Sequence, residues 1–327
     1  MYSVRGADWD ANRFDGEIWL ARRGEGPFQL TRTADSSSSD AKWSPDGKWI
    51  AFLADRGSDS QIWLISPRGG EARQLTAVED GVGGFEFSPE GSHLAVSITD
   101  PIDPAREKLE EAYGGYAVED GEFRNTHLWL LDVGAVLEAD AAAELPPEDE
   151  EEAEEEVEPS PFRRLTGGDD FTVDTYRWSP DGRFIAFDHR PDPRVESRSK
   201  ADISILDVEN GAIRPLVTQP GPDSDPHWSP DGENLVFSTG DGEAAYYLNS
   251  ELAIVSAAGG EPRVVTEAFD EDVSAVAWLD DGIRCIALDR TTRKLYRLDP
   301  GSGDMTEVIL EGAPRILWSV DFSKDGR

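Results

Sequence analysis

Side chains able to attack or exchange protons near neutral pH are few in this 327-residue sequence. They are four histidines, His93, His127, His189 and His227, and one cysteine, Cys285. Hydrolysis by a serine or cysteine nucleophile needs an imidazole beside it and a carboxylate behind the imidazole. The spacing here makes no such group. No G-x-S-x-G elbow occurs, and GSG at 301–303 lacks the pattern and sits in a predicted hairpin turn. His127 and His227 each open a predicted strand and read as structural. No catalytic residue is assigned.

Metal chemistry is imitated once. DWDANRFDG places Asp8, Asp10 and Asn12 at calcium-loop spacing, but Arg13 stands at the glycine position and Trp19 at the bidentate glutamate position. No metal and no cofactor is expected. Cys285 lies in IRCIALD, alternating with Ile283 and Ala287, which predicts a buried thiol packed as a small hydrophobe. A single cysteine permits neither an intrachain disulfide nor a thiolate metal cluster.

Net charge is −36, and residues 138–158 hold 12 acids and no base. That field repels phosphate, so neither nucleic acid nor an anionic membrane is an expected partner. No run approaches the roughly 18 apolar residues of a membrane helix. The opening MYSVRGADWD lacks the apolar stretch of a secretory signal, and a cytoplasmic protein is expected.

The elements behind these residues repeat. WSPDG stands at 43–47, 178–182 and 228–232, with FSPEG at 87–91, WLDDG at 278–282 and FSKDG at 322–326. A second marker closes each unit: QLT at 29–31 and 74–76, RLT at 164–166, LVT at 216–218 and VVT at 264–266. Both markers recur at roughly 45–50 residues, with one doubled interval. Within a unit a short strand leads into a Ser-Pro-Asp-Gly turn, and three more apolar strands follow. Four short antiparallel strands per period predict an all-β fold, a β-propeller of four-stranded blades.

The blades are expected at 1–31 (partial), 40–76, 83–166, 174–218, 225–266, 274–310 and 318–327 (partial), in one propeller domain over 1–327. The doubled interval reads as one blade with insertions at 103–122 and 135–160, the second an acidic, solvated loop. The first unit shows third and fourth strands but no first strand. The last stops after its turn. The favoured expectation is a fragment of a seven-bladed propeller, and the alternative is a six-bladed ring closed by the terminal strand.

The unit WSPDGKWIAFLADRG…QIWLISPRGGEARQLT resembles the repeat shared by TolB-type propellers and the prolyl oligopeptidase family of serine peptidases. ANRFDGEIWLARRGEGPFQLT and the insertion ending YAVEDGEFRNTHLWLLDV are similar to the acylaminoacyl-peptidase and dipeptidyl-peptidase-like branch. The resemblance implies a non-catalytic propeller that gates peptide substrates, partnered by a C-terminal α/β-hydrolase domain with a Ser-Asp-His triad, absent from this sequence. Glu119, Asp120 and Glu122, in the first insertion, are the candidate substrate-binding residues, set against the plainer reading of a solvated loop. The alternative function is a stand-alone TolB-like propeller that binds proteins.

Overall fold

In the S-P-D-G turns, the serine carbonyl must meet the glycine N–H three residues on, and the glycine must take a positive φ. A computed structural model of the chain shows both. Gly47, Gly182 and Gly232 donate to Ser44, Ser179 and Ser229 at 2.8–2.9 Å, with φ of 68°, 71° and 72°. The FSPEG copy does the same, Gly91 to Ser88 at 2.9 Å. The structure describes residues 1–9, 12–22, 24–33, 36–57, 59–103, 106, 108, 112–114, 123–137, 161–240, 249–309, 320 and 322.

Two compact units divide the chain, Met1–Gly167 and Gly168–Arg327. The first unit holds β1 (Tyr2–Asp8), β2 (Arg13–Leu20) and β3 (Phe28–Gln29) in a three-stranded sheet. It continues with β4 (Ser38–Trp43), β5 (Ile50–Ala54), β6 (Gln61–Ile65) and β7 (Arg73–Gln74). Its third sheet is β8 (Gly84–Phe87), β9 (His93–Thr99), β10 (Thr126–Asp132) and β11 (Phe162–Arg164). Both insertions of the third sheet leave its order unbroken, because each enters between neighbouring strands.

The second unit holds three four-stranded sheets. They are β12 (Thr172–Trp178), β13 (Phe184–Arg190), β14 (Asp202–Asp207) and β15 (Ile213–Val217); β16 (Asp223–Trp228), β17 (Asn234–Thr239), β18 (Glu251–Ser256) and β19 (Arg263–Val264); and β20 (Val273–Leu279), β21 (Gly282–Asp289), β22 (Thr292–Leu298) and β23 (Met305–Glu307). A 3-10 helix, Val195–Lys200, lies between β13 and β14 and has no counterpart in the repeat. Every pairing is antiparallel between strands consecutive in sequence. The small antiparallel sheets are propeller blades, as the repeat predicts.

The core lies between consecutive sheets. Ala51, Leu64, Phe85 and Leu94 pack the second sheet on the third, and Ala186, Ile203, Trp228 and Phe237 pack the fourth on the fifth. Phe52, Phe85, Phe187 and Phe237 are fully buried, each contributing on the order of 1.5–3 kcal/mol.

Two sequence expectations need adjustment. The first sheet has a strand that the repeat does not announce, β1, paired with β2 from Tyr2↔Trp19 to Asp8↔Arg13. The signature tryptophans also do not share one environment. Trp178 and Trp228 are buried, whereas Trp43 is 39% exposed. Trp228 rests on the preceding sheet, donating its indole N–H to the carbonyl of Arg177 in that sheet's first strand. The sheet before Trp43 has only three strands and no S-P-D-G turn, so Trp43 lacks the corresponding support.

Candidate functional site

The closing threonine of the repeat, read above only as a marker, is a lock. In three blades its hydroxyl accepts a backbone N–H from the third strand and meets the polar side chain one residue earlier. Thr31 takes Ile18 N and bonds Glu17; Thr76 takes Ile62 N at 2.9 Å and donates to Gln61 Oε1 at 2.8 Å. Thr166 takes Leu128 N at 2.9 Å and lies 3.2 Å from His127 Nδ1. In a fourth, Thr266 accepts Leu252 N at 2.8 Å.

This settles the one arrangement that looks catalytic. Thr166 Oγ1 stands on His127 Nδ1, and His127 Nε2 is 3.3 Å from Asp100 Oδ2. A hydroxyl, an imidazole and a carboxylate thus stand in the order a nucleophile requires. Thr166 is 3% exposed and His127 fully buried, and the hydroxyl is committed to a strand N–H. Glu17 and Gln61 serve the same position without any base. His127 is part of a blade lock.

The other histidines separate. His189 donates or accepts at Ser204 Oγ across 2.8 Å, lies 4.9 Å from the Phe171 ring and 5.3 Å from Phe187, and burial holds its pKa below the ordinary value. It behaves as a neutral aromatic of the core. His93 sits on Ser92 and 3.7 Å from Glu90. His227 Nε2 is 3.3 Å from Asp225 Oδ1, which Arg177 also approaches at 3.5 Å.

Around His227 the structure assembles carboxylates that the sequence did not single out. A β-bulge breaks the register of β12 between Val173 and Tyr176 and that of β16 between Ser224 and His227. Asp188, 2% exposed, accepts Thr175 N at 2.6 Å, Thr175 Oγ1 at 2.9 Å and Asp225 N at 2.8 Å. It thereby clasps the bulges of two neighbouring blades, while Asp225 takes a φ of 50°. Burial pushes Asp188 up to about 6, against those hydrogen bonds. Burial also works to raise Asp225, but His227 and then Arg177 outweigh it and hold the group below its usual range.

Asp223 is fully buried. Its Oδ1 accepts from Gln219 Nε2 at 3.0 Å, while Oδ2 has no partner. Burial pushes Asp223 up to about 6 against the hydrogen bonds of Thr239 and Gln219, with the nearby Asp202 carboxylate adding to the rise. Two hydroxyls meet these carboxylates: Thr175, which the clasp consumes, and Thr239 on Asp223, which is buried and also accepts from Gln219. Among the described residues no group of three or more His, Cys, Asp or Glu side chains converges as a metal site.

The turn aspartates have local work. Asp181 Oδ1 accepts from Ser179 Oγ and Arg183 N, and Asp231 Oδ1 from Ser229 Oγ and Glu233 N. Their pKa values stay below the usual range: the Ser229 bond leads at Asp231, and at Asp181 the Ser179 and Arg183 bonds overcome burial. Cys285 is fully buried and its thiol is pushed up to about 12 by that burial, so it carries no thiolate chemistry. The calcium-like spacing at Asp8 belongs to a hairpin, with Asp8 facing Arg13 and Asn12 at φ 49°. Glu119, Asp120 and Glu122 lie outside the described residues, as does the tract 138–158.

Residues 179–241, which include Asp188, Asp223 and Asp225, match the family described as the dipeptidyl peptidase IV (DPP IV) N-terminal region. Dipeptidyl-peptidase 5 of Porphyromonas gingivalis is 25% identical over 321 residues, covering 94% of this chain and 46% of the relative. The chain is similar to the propeller domain of peptidase-family proteins. Its strands superpose on acylaminoacyl peptidase of Pyrococcus horikoshii with a TM-score of 0.64 at 15% identity, covering 94% of this chain and 43% of that one. TolB of Acinetobacter baumannii gives a TM-score of 0.51 at 18% identity, over 89% and 58% of the two chains. At those identities the solved structures speak for the fold alone. The chain spans about half the length of that dipeptidyl-peptidase.

Proposed function

We propose that this chain is the non-catalytic, substrate-gating propeller of a serine peptidase that acts on peptides. The hydrolase domain with its triad belongs to the same polypeptide. The observation that carries the reading is the coverage: similarity runs through 94% of this chain and accounts for only 46% of a dipeptidyl-peptidase. The absence of an assembled nucleophile among the described residues is consistent with it, since Thr166 is locked and Cys285 is buried. Gating follows from the chemistry of this reading: a wall of propeller blades over a catalytic domain admits extended chains and rejects folded ones.

The test compares this chain with the full-length gene product on chromogenic dipeptide substrates and on a folded protein. The expected result is hydrolysis of the small substrates by the full-length protein alone, with the folded protein left intact. A full reading frame encoding no G-x-S-x-G hydrolase domain would overturn the proposal.

A further inference from the structure

Two carboxylates are enclosed where the fourth and fifth sheets meet, at repeat positions that other sheets fill with neutral residues. Asp223 pairs with Thr239 in the register that joins Ser38 to Ala54, Val173 to His189 and Val273 to Ala287. Asp188 pairs with Ile203 as Leu53 pairs with Ile62, Ser97 with Leu128 and Ser238 with Leu252. A blade therefore forms with serine, leucine or valine at these places, and the repeat demands neither carboxylate. Both stand on the seam itself. Asp188, in β13, accepts Asp225 N of β16 at 2.8 Å, and Asp223 N, in β16, donates to the carbonyl of Ala201, just before β14, at 2.9 Å. The indole of Trp228 on the carbonyl of Arg177, at 3.1 Å, completes the seam.

An ionised carboxylate between packed sheets loses its water, and only hydrogen bonds and opposite charge offset that loss. Asp223 is fully buried and its Oδ2 has no hydrogen-bond partner. Asp188 has three donors, but one of them, the Thr175 hydroxyl, is a rotor that can turn from donor to acceptor when Asp188 takes a proton. The clasp therefore survives neutralisation. Nearby charge does not favour ionisation. Around Asp188, β12 brings Asp174, a like charge that is paired with Arg190 at 2.9 Å. Arg177 and His227 serve Asp225 instead, and burial keeps His189 neutral. Around Asp223, β14 brings Asp202, again a like charge, while β17 and β20 bring no titratable side chain. Arg198 and Lys200, in the 3-10 helix before β14, are exposed.

We propose that this joint is a proton-controlled hinge, neutral and closed in mild acid, charged and more readily opened at neutral pH. Opening returns both carboxyls to water. With each near 6 in the closed joint and at the ordinary 3.8 once opened, opening is about tenfold more favourable per carboxylate at pH 7.5 than at pH 5.0. The sign is that of a carboxyl raised on burial: the closed form gains as pH falls through 6 towards 4. The inference goes beyond the gating reading. Its test contains no catalytic step, so either can fail without the other.

The test is amide hydrogen exchange of this chain, read by mass spectrometry at pH 5.0 and 7.5 and corrected for the intrinsic pH dependence of exchange. Peptides covering β12 and β16 report the joint, and a peptide covering β21, in the sixth sheet, is the internal reference. The joint should be about ten- to a hundredfold better protected at pH 5.0 than at pH 7.5, and the reference should change by less than about threefold. Asp223→Asn keeps the Oδ1 that accepts from Gln219 and should cut the joint's ratio about tenfold. The control Asp169→Asn/Asp170→Asn removes charge from exposed residues before β12 and should leave the ratio within about twofold. A joint whose protection does not change with pH would overturn the proposal. So would an equal change in β21, which assigns the effect to global stability, or an unchanged ratio in Asp223→Asn.

Discussion

Replacing Asp223 by asparagine should stabilise the protein near neutral pH, although it removes a buried native group. Asp223 is fully exposed in the unfolded chain and fully buried in the folded one, with Oδ2 unpartnered and Asp202 nearby. Its folded pKa of about 6 stands above the ordinary value of 3.8. Above pH 6 the folded state therefore bears a charge that the unfolded state carries at lower cost. At about 1.4 kcal/mol per pH unit, the difference amounts to roughly 2–3 kcal/mol. The sign follows from linkage: for a carboxyl raised on folding, the penalty is complete at neutral pH and relieved as pH falls through 6 towards 4. Asparagine keeps the Oδ1 that accepts from Gln219 and never bears the charge. In scanning calorimetry Asp223→Asn should raise the unfolding temperature by roughly 3–5 °C at pH 7.5 and by little at pH 4.5. Equal effects at both pH values, or destabilisation at pH 7.5, would refute the reasoning.

Three further outcomes are expected. Thr76→Val strands the buried Ile62 N–H and takes one of the donors from Gln61 Oε1, which keeps Val78 N, and should cost about 1–3 kcal/mol in urea unfolding, with Thr76→Ser recovering most of it. Asp181→Ala should cost about 1 kcal/mol through the lost turn acceptor while Asp181→Asn stays near neutral, which chemical denaturation of the two variants side by side will resolve. Cys285 should resist a disulfide-exchange reagent at pH 8 in the folded protein and react promptly after denaturation, read by absorbance.

The blade plan was legible because a tight turn demands particular residues at particular places, and the chain supplies them four times, with two looser copies that keep the glycine. Proline and glycine at fixed offsets report a backbone shape directly. β1 escaped notice for the converse reason. YSVRGAD neither alternates cleanly nor follows a signature turn, and the hairpin joining it to β2 is built from residues that resemble a calcium loop. The threonine of QLT was visible as a recurrence but not as a lock, because its partners Glu17, Gln61 and His127 share hydrogen-bonding ability and nothing else. Asp188 and Asp223 gave no signal at all. Their burial comes from bulges and from the neighbouring blade, neither of which is written in the local sequence.

In the stacking of the turns, a bare Cβ built on Gly91 would stand 3.0 Å from Pro45 Cδ, and one on Gly232 would stand 3.6 Å from Pro180 Cδ. Gly91 and Gly232 thus each stand against the proline of the motif before them, while Gly47 has nothing within 4 Å. The pentapeptide is a word spelled across two blades, closing its own turn and receiving its neighbour's. A blade lifted from this chain and spliced elsewhere would carry only half a joint at each face. Blades bounded on both sides by S-P-D-G or S-P-E-G turns are therefore the interchangeable parts of this protein, and its first sheet, which has no such turn, offers Gly47 no proline to meet.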